Sequence, residues 1–175
     1  MPGPANDQDR LFTQAASDYG AALERLARAY EADDEERRDL LQEIYVALWR
    51  SFAGFDERCS LRTWVYRVAH NVAASHVDRQ ARRRKREFIS LEEIESYVDE
   101  AASRTLAQQQ VLGEIYAMIR ELAPLDRQVM LAYLEGLDAA STAEITGLTA
   151  SHVATKIHRI KRALSRRFRE GGSDE

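Results

Sequence analysis

The sequence contains few of the residues that stabilise secreted or β-rich proteins. Its only cysteine is Cys59, which excludes an internal disulfide and a cysteine-rich zinc site. Just 3 Pro and 8 Gly occur in 175 residues, which argues against a β-sandwich and against a disordered chain. With 45% apolar residues, enough for helical cores, the chain is predicted to be all-α.

Long apolar runs and enzyme motifs are missing as well. The longest apolar run, about Tyr45 to Trp49, is far too short to span a membrane, and residues 1–10 have no signal-peptide core. A cytoplasmic protein without membrane insertion is therefore predicted. Because the sequence has no phosphate-binding loop, dinucleotide fingerprint, nucleophile elbow or spaced metal ligands, we predict no enzymatic activity, no cofactor and no metal site.

The charges are distributed unevenly along the chain. The net charge of −4 would by itself speak against nucleic-acid binding. However, residues 58–86 hold 9 Lys or Arg with Asp78 as the only acid, and residues 151–175 hold 7 bases and 3 acids. Between these two basic stretches, residues 87–103 hold 6 acids and no base. Two separated sites for a polyanion would produce this pattern.

The C-terminal stretch 138–168 predicts two helices joined by a tight turn. Asp138 is a plausible N-cap of the first helix, and Gly147 suits its left-handed end. The second helix is amphipathic, with apolar residues at one helical face: Val153, Ile157, Ile160, Leu164 and Phe168. Such a helix-turn-helix places the second helix in a DNA major groove. The alternative is a basic helix that only closes a bundle, with its charges solvated.

Three helices are predicted in the N-terminal half, at 11–30, 33–52 and 61–84. The second has an acidic face around Asp39 and Glu43, which could also be an ordinary solvated face. The third is expected to bury Leu61, Trp64, Val65, Val68 and Val72. Its opposite face carries small or hydrogen-bonding side chains that can contact base edges: Thr63, Arg67, His70, Asn71, Ala74 and Asp78.

A basic run, Arg82 to Arg86, follows this face and suits phosphates, although such runs are often solvated helix ends. The acidic stretch 87–106 is interpreted as a linker. Beyond it, a helix over about 111–122 and another from Asp126 are expected, the latter with Val129, Met130, Tyr133 and Leu134 inward. The chain is thus predicted to form two small helical domains joined by an acidic linker.

Three stretches, 39–50, 60–71 and 122–137, resemble bacterial RNA polymerase sigma factors. They are similar to the extracytoplasmic-function group of the sigma-70 family, which keeps only conserved regions 2 and 4. The resemblance covers about residues 10–169. It implies region 2 over residues 1–86, the linker over 87–106, and region 4 with its helix-turn-helix over 107–175.

The resemblance also implies roles for particular residues. The side chains expected to dock on core RNA polymerase are Asp39, Gln42 and Glu43. The residues implied at the minus-10 element are Arg67, His70, Asn71, Asp78, Arg82 and Arg83. There Asn71 and the loop 55–60 would hold an extruded base, in an aromatic stretch that includes Trp64 and Tyr66. The residues implied at the minus-35 element are Ser151, His152, Thr155, Lys156, Arg159 and Arg162.

The implied partners are core RNA polymerase, promoter DNA and an anti-sigma factor or other regulator. One departure is Ser141-Thr142, which stands where the family usually has Glu-Ile. Two alternative functions are a sigma mimic that sequesters an anti-sigma factor and a helix-turn-helix regulator that needs no polymerase. A sigma mimic would be expected to lose the basic and amide residues, which are intact in this sequence. A stand-alone regulator would leave the acidic face of Asp39 and Glu43 without a function.

Overall fold

The structure, a computed structural model, describes residues 4–86 and 106–171. These residues form helices and no strands, which confirms the all-α prediction. The helices are α1 (Pro4–Tyr30), α2 (Asp34–Ser51), a short 3-10 helix (Phe52–Gly54), α3 (Leu61–Arg86), α4 (Leu106–Arg120), α5 (Pro124–Leu134), α6 (Ala139–Thr146) and α7 (Ala150–Gly171). The chain divides into two compact units, Met1–Ala117 and Met118–Glu175. Apart from residue 106, the predicted linker lies outside the described residues.

In the first unit, α1, α2 and α3 each pack against the other two. The largest apolar side chains of this core that are less than 2% exposed are Leu23, Leu26, Leu40, Ile44, Leu48 and Tyr66. The turn into α2 is capped by Asp33, whose Oδ1 accepts hydrogen bonds from the backbone N–H groups of Glu35 (3.0 Å) and Glu36 (2.9 Å). Such caps satisfy donors that the first helical turn leaves unpaired. The start of α2 is thereby fixed at Asp33.

The buried face of α3 differs from the predicted one. Among the residues expected in the core, only Val65 is fully buried, whereas Leu61, Trp64, Val68 and Val72 are half-buried. The side chains that α3 buries instead are Thr63, Tyr66, Ala69, His70, Ala73 and His76. The physical reason is that α3 packs against both α1 and α2, so its buried strip is wide and includes small and polar residues.

The second unit is built on α5, α6 and α7, with Val129, Met130, Val153 and Ile160 at its centre. Pro124 occupies the first turn of α5, where its missing N–H leaves no hydrogen bond unmade, so this helix begins two residues before the expected Asp126.

Two side chains of α5 do not point inward as predicted. Tyr133 and Leu134 are 38% and 53% exposed, and Leu131 and Ala132 are buried in their place. The reason is that α5 contacts both α6 and α7, so its buried strip is wider than a single apolar stripe.

Helix α6 is capped at both ends, and its C-terminal cap forms the turn into α7. The Oδ1 of Asp138 accepts from the backbone N–H of Ser141 at 2.7 Å, which confirms the predicted N-cap. Gly147 has φ +75°, a left-handed conformation that favours glycine, and its N–H donates to the Ala143 carbonyl. Thr142, at the unusual Ser-Thr pair, is fully buried and its Oγ1 donates to the Asp138 carbonyl at 2.8 Å. A polar residue is therefore accommodated within the helix-turn-helix.

Candidate functional site

The outward face of α7 carries most of the residues predicted to contact the minus-35 element. Those with exposed side chains are Ser151, His152, Thr155, Arg159 and Arg162. The opposite face is anchored by Val153 and Ile160, which are buried in the core of the second unit. Since α7 is an amphipathic helix with one face in the core, the other face presents its basic and hydroxyl groups to solvent. A DNA major groove admits such a helix.

One acidic residue contacts two of these cations. Asp126, in the first turn of α5, lies with Oδ1 2.5 Å from Lys156 Nζ and with Oδ2 3.2 Å from Arg159 Nη2. Lys156 is half-buried, unlike the exposed residues on the same predicted surface. The charges of Lys156 and Arg159 are therefore partly balanced inside the protein.

In the first unit, residues predicted for two different partners line one groove between α2 and α3. This groove of about 630 Å³ is bordered by Asp39, Gln42 and Glu43 from α2 and by Asn71 and Arg79 from α3. Asp39, Gln42, Glu43 and Asn71 are all exposed. The predicted docking residues and the predicted base-binding amide thus lie on the same surface.

Ion pairs and hydrogen bonds cross from α2 to α3 along this surface. Arg79 pairs with Glu43, and Arg83 Nη1 lies 3.4 Å from Glu36 Oε1. Gln80 Nε2 donates to Glu36 Oε2 at 2.6 Å. We call these three contacts the α2–α3 seam. Arg83, predicted to contact minus-10 DNA, and Glu43, predicted to contact polymerase, are both engaged in it.

His70 is not placed to contact DNA, so that prediction is wrong. Its side chain is fully buried, and its Nδ1 lies 3.1 Å from the hydroxyl oxygen of Tyr30. Burial lowers the pKa of His70 to about 3, so the ring is neutral at physiological pH. His76 is also buried, with Nε2 3.2 Å from a carboxylate oxygen of Glu31. Both histidines tie α3 to the end of α1.

The other predicted minus-10 residues differ in exposure. Asp78 and Arg82 are exposed on α3, whereas Arg67 is half-buried and its Nε makes no hydrogen bond within the described part of the chain. Tyr66 is 1% exposed and belongs to the core. The described residues therefore leave Asp78 and Arg82 available to a ligand and place Tyr66 beyond its reach.

Trp64 joins α3 to the loop that precedes it. The Trp64 indole N–H donates to Ser51 Oγ at 2.9 Å, and its ring packs edge-on against Phe55 with centroids 5.3 Å apart. Ser60 Oγ accepts from the Thr63 backbone N–H at 3.0 Å and so caps the start of α3. The loop 55–60 is thus held at both ends by the first unit, next to an aromatic side chain.

A second groove, between α1 and α2, was missed by the sequence reasoning. It has a volume of about 570 Å³, and its apolar lining is Phe12, Leu41, Tyr45, Val46 and Trp49. Val46 and Trp49 are each 43% exposed, which is unusual for large apolar side chains. The sequence feature that indicates this groove is that α2 carries more apolar residues than a single core-facing stripe requires. Gln42 borders this groove as well as the one between α2 and α3.

The part of the chain that the structure describes offers neither a membrane span nor a metal site. None of the helices is long and apolar enough to cross a membrane. No three His, Cys, Asp or Glu side chains in residues 4–86 and 106–171 are grouped so that they could hold a metal ion.

Two family models match the chain: Sigma-70 region 2 over residues 16–83, and Sigma-70, region 4 over residues 112–164. The RNA polymerase sigma factor CnrH of Cupriavidus metallidurans is 26% identical over 171 residues, which cover 92% of this chain and 88% of that protein. The ECF RNA polymerase sigma factor SigC of Mycobacterium tuberculosis is 28% identical over 178 residues, 94% of each protein.

Solved structures share the fold. CnrH in complex with the cytosolic domain of CnrY has a TM-score of 0.69 at 20% identity and covers 98% of this chain and 94% of that one. The sigma factor RpoE from Bartonella quintana, in complex with the anti-sigma factor NepR, has a TM-score of 0.71 at 17% identity and covers 94% and 98%. The region 2 and region 4 matches span more than half of the sequence, so the chain belongs to the extracytoplasmic-function group of the sigma-70 family, whose members are non-enzymatic initiation factors that bind core RNA polymerase and direct it to promoters.

Proposed function

We propose that this sigma factor recognises the minus-35 element with the outward face of α7. The observation that carries the proposal is the exposed row of hydroxyl and cationic side chains on a helix whose start is fixed by the Gly147 turn. Ser151, His152 and Thr155 lie in the first two turns, where a recognition helix contacts base edges. Lys156 and Arg159 follow, to meet bases or nearby phosphates, and Arg162 to meet phosphates.

The first unit is proposed to bind polymerase with α2 and the minus-10 element with α3. Asp39, Gln42 and Glu43 supply the polar part of the docking surface, and the groove beside Val46 and Trp49 supplies an apolar part. Interfaces commonly combine a buried apolar centre with a polar rim. The minus-10 contacts are assigned to Arg67, Asn71, Asp78, Arg82 and Arg83. Asn71 and the loop 55–60 are the candidates for holding an extruded base.

The proposed division is region 2 over residues 1–86, a linker over 87–106 and region 4 over 107–175, whereas the two compact units divide within α4, after Ala117. The family matches at 16–83 and 112–164 fall inside the two proposed regions. A protein that acts on polymerase and promoter DNA works where both are found, so we place it in the cytoplasm.

Run-off transcription with purified core polymerase on genomic promoter fragments tests the proposal. The wild-type chain should start transcripts at defined sites, and Arg162→Ala should weaken initiation and flatten its salt dependence. Unchanged initiation by Arg162→Ala would remove Arg162 from the DNA contacts. A sigma mimic would bind no core polymerase and start no transcripts, and a stand-alone regulator would bind promoter DNA without polymerase.

An anti-sigma factor is proposed as a further partner. The two similar solved structures are complexes, one with the cytosolic domain of CnrY and one with NepR. The apolar groove between α1 and α2 offers a surface that such a protein could cover. A co-purifying protein that abolishes run-off transcription when added back would support this partner. A protein that binds without reducing transcription would contradict it.

A further inference from the structure

The contact of Asp126 with two cations of α7 differs from the ion pair of Glu121 with Arg167 in the same unit. The Asp126 side chain is 17% exposed and that of Lys156 25%, whereas in the pair of Glu121 with Arg167 the side chains are 58% and 51% exposed. Each carboxylate oxygen of Asp126 faces a different cation. Because water screens a partly buried pair less, the contact of Asp126 with Lys156 should be more persistent than the exposed pair, whereas Arg159, which is 67% exposed, meets Asp126 at the surface.

The effect of the Asp126 contact on DNA binding depends on where Lys156 and Arg159 lie on α7. At about 100° per residue, Ser151, Thr155 and Arg162 lie at the centre of the outward face, and Lys156 and Arg159 lie toward one flank. That flank faces Asp126 on α5. The contact therefore draws both cations toward the protein and away from the centre of the surface.

A paired cation must give up its carboxylate in order to bind a phosphate. All DNA offers phosphates, whereas only a matching site offers bases that hold Ser151 and Thr155 in register. Base contacts raise the local concentration of phosphate beside Lys156 and Arg159, and this favours the exchange. Random DNA does not make these base contacts, so Lys156 and Arg159 stay paired with Asp126.

We infer that Asp126 is a specificity-determining residue, which withholds Lys156 and Arg159 from the phosphates of non-promoter DNA and releases them when α7 is in register on its element. The inference rests on the proposed function, the reading of DNA by α7. It predicts that removing the charge of Asp126 strengthens binding to random DNA.

The test measures the affinity of the full chain for random-sequence 30-base-pair duplexes at several salt concentrations. Asp126→Asn keeps the shape of the side chain and should bind more tightly than wild type. Each released cation that meets a phosphate steepens the dependence of log K on log salt by about 0.9, so the slope should steepen by about 0.9 to 1.8. The advantage of the variant should then shrink roughly 3- to 12-fold between 50 and 200 mM salt.

Glu144→Gln is the matched control, since Glu144 is an exposed carboxylate of α6 in the same unit. It also removes one negative charge and should leave the salt slope unchanged. An equal steepening in both variants would overturn the inference, because net charge alone would explain it. Weaker binding by Asp126→Asn would also overturn it, since Asp126 would then be presenting the two cations to DNA.

A comparison of combined variants tests whether Asp126 acts through Lys156 and Arg159. Lys156→Met with Arg159→Met should flatten the slope more in the Asp126→Asn background than in wild type. Equal flattening in both backgrounds would contradict the inference. This comparison does not depend on the stability of any single variant. Arg162→Ala separates the two proposals. If it flattens the slope while Asp126→Asn changes nothing, only the role of Asp126 fails; if it has no effect, the reading of DNA by α7 fails with it.

Discussion

The burial of His70 predicts a pH-dependent contribution to the stability of the first unit. Burial holds the pKa of this imidazole at about 3, against 6.5 in the unfolded chain. Between these values the unfolded state binds more protons, so the free energy of unfolding falls as the pH is lowered from about 6.5 toward 3. Above pH 6.5 both states are neutral at this residue, and the contribution is fully present.

The expected size follows from the two pKa values. At pH 5 the unfolded imidazole is almost fully protonated and the folded one is almost fully neutral. The linkage relation then gives a loss of about 2 kcal/mol between pH 7.5 and pH 5 from this residue alone. That is a large fraction of the stability of a small helical domain.

His70→Gln removes the titration and keeps a group that can hydrogen-bond to Tyr30. Urea denaturation followed by circular dichroism, at pH 7.5 and pH 5, measures the free energy of unfolding of both proteins. The loss of stability on acidification should be about 2 kcal/mol smaller in His70→Gln than in wild type. Glu31 and His76 are present in both proteins, so the comparison isolates His70. An identical pH dependence would refute the burial of a neutral imidazole at this position.

Three further outcomes are expected. Asp39→Ala with Glu43→Ala should weaken binding to core polymerase in a pull-down while the helical circular dichroism is retained; unchanged affinity would contradict the docking assignment. Gly147→Ala should lower the unfolding free energy by about 1 kcal/mol in urea denaturation because φ +75° strains any residue with a Cβ, and a neutral result would contradict that strain. Arg159→Ala should flatten the salt dependence of random-DNA binding less than Arg162→Ala, since Asp126 already holds Arg159; equal flattening would argue against this.

The sequence predicted α7 better than α3 for a physical reason. Apolar residues on α7 face a single core, so the spacing of Val153 and Ile160 identifies the buried side. In contrast, α3 packs between two helices, and its buried strip is turned by about 100° from the side that its large apolar residues mark. There Thr63 and His70 take positions that the pattern assigns to the outside, because close helix packing allows a small hydroxyl side chain and a hydrogen-bonded imidazole.

Contacts between side chains distant in the sequence could not be predicted at all. Asp126 lies 30 residues from Lys156 in the sequence, and Glu43 lies 36 residues from Arg79. A pattern on one helix shows which face is charged but not which opposite charge approaches it from another helix. The residue types on the candidate surfaces were therefore predictable, whereas their pairing required the fold.

The contacts of the α2–α3 seam contribute so little free energy that a binding partner can replace them. Its ion pairs are about half-exposed, with Arg79 and Glu43 at 53% and 45%, and pairs of this kind contribute only about 0–1 kcal/mol. Breaking the pair of Glu43 with Arg79, as the proposed docking on polymerase requires, would therefore cost folding little. The contact between Glu31 and His76 is nearly buried, at 10% and 4%, so its loss would leave buried polar groups unpaired. Binding can therefore rearrange the exposed seam while the buried contacts keep α1 and α3 together.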